Sequence, residues 1–363
     1  MNIEFIEAIH DIEKEKGVSS DILFEAIEQA LLSAYKKNFG SSQNARVHID
    51  RSSGEFIVFS RKEVVKEVTD ENSQISLKAA HKINPIYQIG DIIEFEVTPR
   101  NFGRIAAQTA KQVVVQRIRE AERGIIYEEY LNKENDIVTG KIQRIEAGNI
   151  FIDLGRTEAI LASSEQIPSE NYVQNERIKA YVLEVKNTPK GPQILLSRTH
   201  PGLLKRLFEL EVPEIHDGIV EIKSIAREAG SRSKISVHSN NENVDPVGAC
   251  VGPKGMRVQA IVNELNGEKI DIVRFSNDPI KYVANSLSPA KVLKVEVNEM
   301  DKVAKVIVPD YQLSLAIGKE GQNARLAAKL TNWKIDIKSQ GLAPKDEEIV
   351  AGYLDDELSN SNL

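Results

Sequence analysis

Apolar positions in the first forty residues recur at helical spacing. In "SSDILFEAIEQALLSAYKKNFG", Leu23, Ile27, Ala30, Leu31 and Ala34 fall on one face. Ser20 supplies an N-cap and Gly40 a stop, so this helix is predicted to follow a first one over "MNIEFIEAIHDIEKEKG". The period then shortens to alternation in "ARVHID", "EFIVFS", "EVVKEV" and "IIEFEV", which predicts strands, with "RSSGEF" as a hairpin turn. A long helical pattern runs from about Asn101 to Leu131. Arg104, Gln108 and Lys111 share one of its faces and most of its apolar residues line the other. Residues 1–134 are expected to form an α+β unit closed by this extended helix.

Residues 135–199 have a different texture. Five β-rich runs, "DIVTGKIQRIE", "NIFIDL", "TEAILA", "RIKAYVLEV" and "PQILLS", are separated by Gly- and Pro-bearing intervals, which predicts a small closed barrel of the OB type. In "NIFIDL", Ile150, Ile152 and Leu154 alternate with Asn149, Phe151 and Asp153. With the aliphatic set inward, Phe151 faces out, either as a stacking platform for a base or packed on a neighbouring domain.

The next two segments, 200–277 and 278–343, repeat one pattern: helix, strand, strand, short helix, GxxG, helix, strand. The first copy carries "DPVGACVGPKG" and "KIDIVRFS", the second "YQLSLAIGKEG" and "WKIDIK", and Gly252 and Gly318 stand 66 positions apart. The remaining 344–363 stretch is acidic and is expected to be a mobile tail.

The GxxG loops carry the candidate chemistry. Glycine tolerates unusual backbone angles and removes side chains, so a ligand backbone can come close. The following helix offers N–H groups and the positive end of its dipole to an anion. A lysine in the loop, Lys254 or Lys319, adds a full charge. Together these parts suit a phosphodiester backbone. On the second helix Arg325 and Lys329 lie four apart, a like-charge pair that a bound polyanion would relieve. On the first, Val258, Ile261, Val262 and Leu265 form the core stripe and Arg257 is left for solvent or RNA. The candidate RNA contacts are Gly252, Lys254, Gly255, Arg257, Gly318, Lys319, Gly321, Gln322, Arg325 and Lys329, with Phe151 on the barrel. Glu320 counts against simple charge logic in the second loop. Neither loop is a P-loop, because "GKE" lacks the Ser or Thr that would hold a magnesium ion.

Composition changes the picture little. The net charge is −7, which does not advertise a nucleic-acid binder. By segment it runs to about −4 over 1–134, about zero over 135–199, about +2 over 200–343 and about −5 over 344–363, so the repeats are the least acidic part. The single cysteine, Cys250, sits in an apolar run and reads as a small buried hydrophobe, consistent with a reducing compartment. The start lacks a basic, then apolar, leader pattern, and no apolar run approaches the roughly 18–20 residues of a membrane span. A cytoplasmic protein is expected. The six histidines are scattered without metal spacing, and no nucleophile elbow appears. The expectation is a binding protein, not an enzyme, with no metal and no cofactor.

The strings "KGPQILLSRTHPGLLKRLFELEVPEI", "NVDPVGACVGPKGMRVQAIVNELNGEKIDIV" and "VPDYQLSLAIGKEGQNARLAAKLTNWKIDI" closely resemble the NusA family of bacterial transcription elongation and termination factors. "FGRIAAQTAKQVVVQRIREAER" looks like the long helix of that family's amino-terminal domain, and the similarity runs to about residue 343. The resemblance implies a multidomain α+β chain: an RNA-polymerase-binding domain, an S1-type OB-fold barrel and two bacterial-type (type II) KH domains. It implies a protein riding on polymerase near the RNA exit channel, binding nascent single-stranded RNA across both KH domains, promoting hairpin pausing and intrinsic termination, and joining other Nus factors and ribosomal protein partners in antitermination. Apart from the resemblance, a monomer is the expected state. It also places polymerase or hairpin contacts at Arg104, Gln108 and Lys111. RNA-binding S1 domains commonly carry a second aromatic on the third strand, where this chain has Ile160 and Leu161. Some members continue into acidic repeats that touch the polymerase α subunit. The sequence ends at Leu363 without them, and that mode of regulation is expected to be missing. Two readings compete. An exoribonuclease subunit with KH and S1 modules needs large catalytic domains that 1–134 are too short to house. A ribosome-associated KH protein has no need of the α+β unit.

Overall fold

A computed structural model describes residues 3–39, 44–99 and 102–342. The expected helix stop at Gly40 and the expected 344–363 tail lie outside them. The chain divides into two compact units, Met1–Glu129 with Asn187–Pro192, and Tyr130–Lys186 with the chain from Gln193 on.

In the first unit α1 (Ile3–Lys16) and α2 (Ser20–Phe39) precede a sheet of β1 (Ala45–Ile49), β2 (Phe56–Val65), β3 (Gln74–Ser76) and β4 (Ile92–Glu96), with α3 (Leu77–Ile83) before the last strand. α4 (Phe102–Leu131) closes the unit. The predicted pair "EFIVFS" and "EVVKEV" is one strand. β2 pairs with β1 at its start and with β4 further on. The charged residues at its middle do not break it, because Arg61 and, across the sheet, Arg46 both reach Glu94. The alternation did not reveal α3 or β3. Ser76 starts α3 as an N-cap, its hydroxyl accepting from the Ala79 N–H. The core gathers Ile9, Leu23, Phe24, Ile27, Leu31, Val47, Ile49, Val58, Phe102, Ala106 and Ala110. The predicted α2 stripe is therefore the buried one, except that Ala30 and Ala34 lie at its half-exposed margin.

The second unit begins with a closed five-stranded barrel of β5 (Ile137–Glu146), β6 (Asn149–Asp153), β7 (Glu158–Leu161), β8 (Arg177–Thr188) and β9 (Gly191–Ser197), in the order β5-β6-β7-β9-β8. Ile142, Ile150, Ile152, Ala159, Leu161, Ile194 and Leu196 are buried.

Two repeats follow. The first has α5 (Pro201–Glu211), α6 (Pro213–His216), β10 (Val220–Glu228), β11 (Arg232–Ser239), α7 (Pro246–Val251), α8 (Met256–Glu264) and β12 (Lys269–Arg274). The second has α9 (Pro279–Ser286), β13 (Lys294–Asn298), β14 (Val303–Val308), α10 (Leu313–Ile317), α11 (Gln322–Thr331) and β15 (Lys334–Ser339). Each sheet is antiparallel between its first two strands and parallel between its second and third. Ile261 and Leu265 bury the predicted face of α8, with Val258 packed against it and Val262 partly exposed. Leu326 and Leu330 of α11 do more than fill their own repeat. They form a cluster with Ala226 and Val273 of the first repeat and Tyr282 of the second, a seam between the two halves. Lys234, fully buried on β11, crosses the same seam. Its ammonium donates to the Ser288 carbonyl and to Asp271, each at 2.7 Å.

Candidate nucleic-acid interface

The two GxxG loops share one backbone. Gly252 sits at φ 73°, ψ 173° and Gly318 at φ 77°, ψ 172°. The third residues are left-handed, Lys254 at φ 51°, ψ 26° and Glu320 at φ 54°, ψ 27°. The closing glycines, Gly255 and Gly321, both stand at φ 75°, ψ 13°. They occupy the N-cap positions of α8 and α11, and no side chain caps either helix. The amino ends of two helices are thus left to an external acceptor.

The lysines are not equivalent. Lys254 occupies the third loop position and Lys319 the second, where the first loop has Pro253. Proline has no N–H, so the first loop has one donor fewer. Both lysines are exposed, and neither has an ion pair among the described residues. Lys329 is exposed as well, its charge close enough to contribute to holding the Glu228 carboxyl low.

Three of the expected contacts are engaged elsewhere. Arg257 is not left for solvent. Its guanidinium donates to the Ala249 carbonyl at 2.6 Å and to Glu214 at 2.9 Å. Arg325 donates through Nε to Glu228 at 2.6 Å, so the expected repulsion with Lys329 is already relieved by a carboxylate of the first repeat. Gln322 donates to Glu228 and to Ser231, each at 2.8 Å. The turn between β10 and β11 therefore rests on the first turns of α11. The Arg325 hydrogen bond is the main cause holding the Glu228 carboxyl below the ordinary value. Partners more than ninety residues away cannot be read from a helical wheel.

That turn has a buried support. Glu268 accepts from Arg227, Ser233 and the Gly230 N–H. Burial alone would raise its carboxyl, but these donors outweigh it and hold it low. At the junction of barrel and first repeat, Arg198 and Glu170 form an ion pair with both side chains almost wholly buried. Arg198 also donates to the carbonyls of Lys179 at 2.8 Å and Glu264 at 3.1 Å.

On the barrel, Phe151 does lie on the outward side of β6, between buried Ile150 and Ile152. One face of its half-buried ring is occupied: the Arg144 guanidinium stands 3.9 Å over the centroid and is itself held by Glu158. It stacks within its own barrel, and of the two aliphatic residues expected in place of a second aromatic, Leu161 belongs to the core.

In the first unit Arg104, Gln108 and Lys111 are exposed on α4, opposite buried Phe102, Ala106 and Ala110. Sequence reasoning passed over a second surface there. Ile83, Ile86, Ile89 and Ile92 are each at least half exposed. Isoleucine every third residue through "INPIYQIGDI", broken by Asn-Pro and Gly, was the available signal. Cys250 is buried, and burial first of all pushes its thiol up to about 12, which leaves it inert. Among the described residues no group of His, Cys, Asp and Glu could hold a metal ion, and no helix is long and apolar enough to cross a membrane.

Residues 4–124 match the family described as NusA N-terminal domain, 132–197 the S1 RNA binding domain, 198–275 the NusA-like first KH domain and 279–345 the NusA-like second KH domain. A protein of Halalkalibacterium halodurans called transcription termination/antitermination protein NusA is 64% identical over 360 residues, covering 99% of this chain and 93% of its own. The protein of that name from Bacillus subtilis is 61% identical over 354 residues, with 96% and 95% covered. That of Thermus thermophilus is 44% identical over 360 residues, with 96% and 93% covered.

Proposed function

The chain belongs to the NusA family, and from that membership we propose a transcription termination/antitermination factor that binds RNA polymerase near the RNA exit channel and holds the emerging single strand on its two KH domains. The observation that carries the RNA part is the duplicated loop. The same left-handed backbone is built twice, each time ahead of a helix without a side-chain cap and each time with an exposed lysine that has no ion pair among the described residues. Phosphates of one strand supply the acceptors and counter-charge that both loops lack. Gly252, Lys254, Gly255, Gly318, Lys319 and Gly321 make these contacts, with Lys329 adding charge beside the second loop.

Polymerase is engaged by the first unit. Its exposed α4 face of Arg104, Gln108 and Lys111 and its four exposed isoleucines support a protein partner there. Slowing hairpin-paused polymerase raises intrinsic termination, and other Nus factors and a ribosomal protein turn the same complex toward antitermination. The chain works as a cytoplasmic monomer and performs no bond chemistry.

The test is in vitro transcription on a template with a hairpin pause and an intrinsic terminator. Adding the protein should lengthen the pause and raise the terminated fraction. Lys254→Asp with Lys319→Asp should weaken both effects. Unchanged pausing and termination on adding the unaltered protein would end this reading.

A further inference from the structure

Five positions after the first glycine of each loop stands a side chain that passes beneath that glycine. In the first repeat it is Arg257, in the second Asn323. A Cβ on Gly252 would lie 2.6 Å from Arg257 Cγ, and a Cβ on Gly318 would lie 2.8 Å from Asn323 Cβ. Both side chains then turn back to the end of the helix before the loop. Arg257 donates to the Ala249 carbonyl at 2.6 Å. Asn323 donates to Ala316 at 3.0 Å and to Leu315 at 3.4 Å, and Leu315 is the equivalent of Ala249 at the same 66-residue offset. These carbonyls belong to the last turns of α7 and α10, where helical partners run out. Each side chain has a second anchor that fixes it: Glu214 for Arg257 at 2.9 Å, the Leu287 carbonyl for Asn323 at 3.0 Å.

We infer that Arg257 and Asn323 are positioning residues. Each ties the carboxyl end of the preceding helix to the start of the following one and so holds its loop in the anion-accepting conformation, without itself touching RNA. This rests on the reading of the loops as phosphate clamps. The two devices use different chemistry: the first is a cation locked by a carboxylate, the second a neutral amide, 3% exposed and locked by backbone. The first loop therefore depends on Glu214, a residue with no place in an RNA-contact scheme, and the second has no such dependence.

The dependence yields a test in which sign discriminates. Glu214→Gln removes a negative charge near the first loop. Electrostatics alone makes RNA binding tighter in that variant, most of all if Arg257 is a ligand thereby set free. Positioning predicts the reverse, weaker binding by about tenfold, because the partly buried ion pair is reduced to a hydrogen bond on a neutral amide oxygen and the guanidinium is held less firmly. The slope of log affinity against log salt should stay as in the unaltered protein, since no phosphate contact is removed. Lys254→Gln should lower it by about 0.7, the single-strand value per contact.

A second variant separates positioning from damage. Adding Arg257→Asn to Glu214→Gln gives the first loop the amide of the second, and should recover most of the lost affinity with a wild-type salt slope. The measurements use the full chain and a single-stranded RNA, with thermal melting to verify folding. If Lys254→Gln and Lys319→Gln leave affinity and slope untouched, the clamp reading falls and this inference with it. If those two variants weaken binding while Glu214→Gln tightens it or leaves it equal, the clamp stands and the positioning role is overturned. Failure of Arg257→Asn to restore binding in the Glu214→Gln chain overturns it as well.

Discussion

The two glycines of each loop do unequal work, and alanine at each of the four positions separates them. Gly252 and Gly318, at φ 73° and 77° with ψ near 173°, occupy a region almost closed to other residues, which costs a side chain on the order of 1–3 kcal/mol. They also have no room. The new methyl at 318 would meet Asn323 Cβ and its backbone nitrogen, both at 2.8 Å, and backbone cannot swing aside. Overpacking of this kind adds about 1–3 kcal/mol. Gly318→Ala should therefore strain its loop by roughly 2–6 kcal/mol. Gly252→Ala meets the stem of Arg257, which can move if it gives up Ala249 and Glu214, so the strain is slightly smaller. Gly255 and Gly321 are ordinary left-handed residues with no neighbour within 4 Å of a built Cβ, and alanine there costs about 1 kcal/mol. The loop can relieve strain by leaving its native form, so the loss reads out as RNA affinity. About 3 kcal/mol corresponds to more than a hundredfold, about 1 kcal/mol to roughly fivefold. Titration of the four alanine variants with one single-stranded RNA, alongside urea denaturation, measures both. Equal losses at the first and second glycines of either loop would refute the assignment of the first as the sterically obligatory one.

Three further outcomes follow from the same geometry. Glu170→Ala strands Arg198 in a buried site and should cost about 3–5 kcal/mol in urea denaturation, whereas Glu170→Leu with Arg198→Met should cost clearly less. The Glu268 and Asp271 carboxyls are both held low in the folded chain. The unfolded state takes up protons first on acidification, so their contribution is complete above pH 4.5, the ordinary Glu value, and drains away as pH falls through their lower folded values. A denaturation midpoint that rises on acidification through that window would contradict the sign. Arg104→Glu with Lys111→Glu should shorten the hairpin pause while RNA binding by the full chain stays within about twofold, because both lie on α4 of the first unit. A pause of unchanged length would show that this face is not the working one.

Much of the fold was legible because periodicity records burial directly. The five barrel strands, the long α4 and both repeats follow from where Ile, Leu and Val recur, and Phe151 faces out as alternation requires. Where the reading fell short, a partner distant in sequence decides the outcome. "EFIVFS" and "EVVKEV" read as two strands because charges interrupt them, and Glu94 on a later strand absorbs Arg61. Arg257, Gln322 and Arg325 looked like free polar residues on helices. Glu214 and Glu228, which engage them, carry no mark in the sequence. Phe151 read either as a platform or as packed on a neighbouring domain, and the Arg144 guanidinium that stands over its ring from the adjacent strand was not foreseen. The different places of Lys254 and Lys319 between the glycines were visible, but not that the two loops share one backbone, with Lys254 and Glu320 both left-handed.

The turn between β10 and β11, resting on the foot of α11 through Glu228 and Ser231, has a mechanical corollary. Leu326 and Leu330 are sealed behind it, so turning one half against the other would have to open this buried seam. A strand held at both loops, as proposed above, would meet a spacing set by packed side chains and ion pairs rather than by a linker.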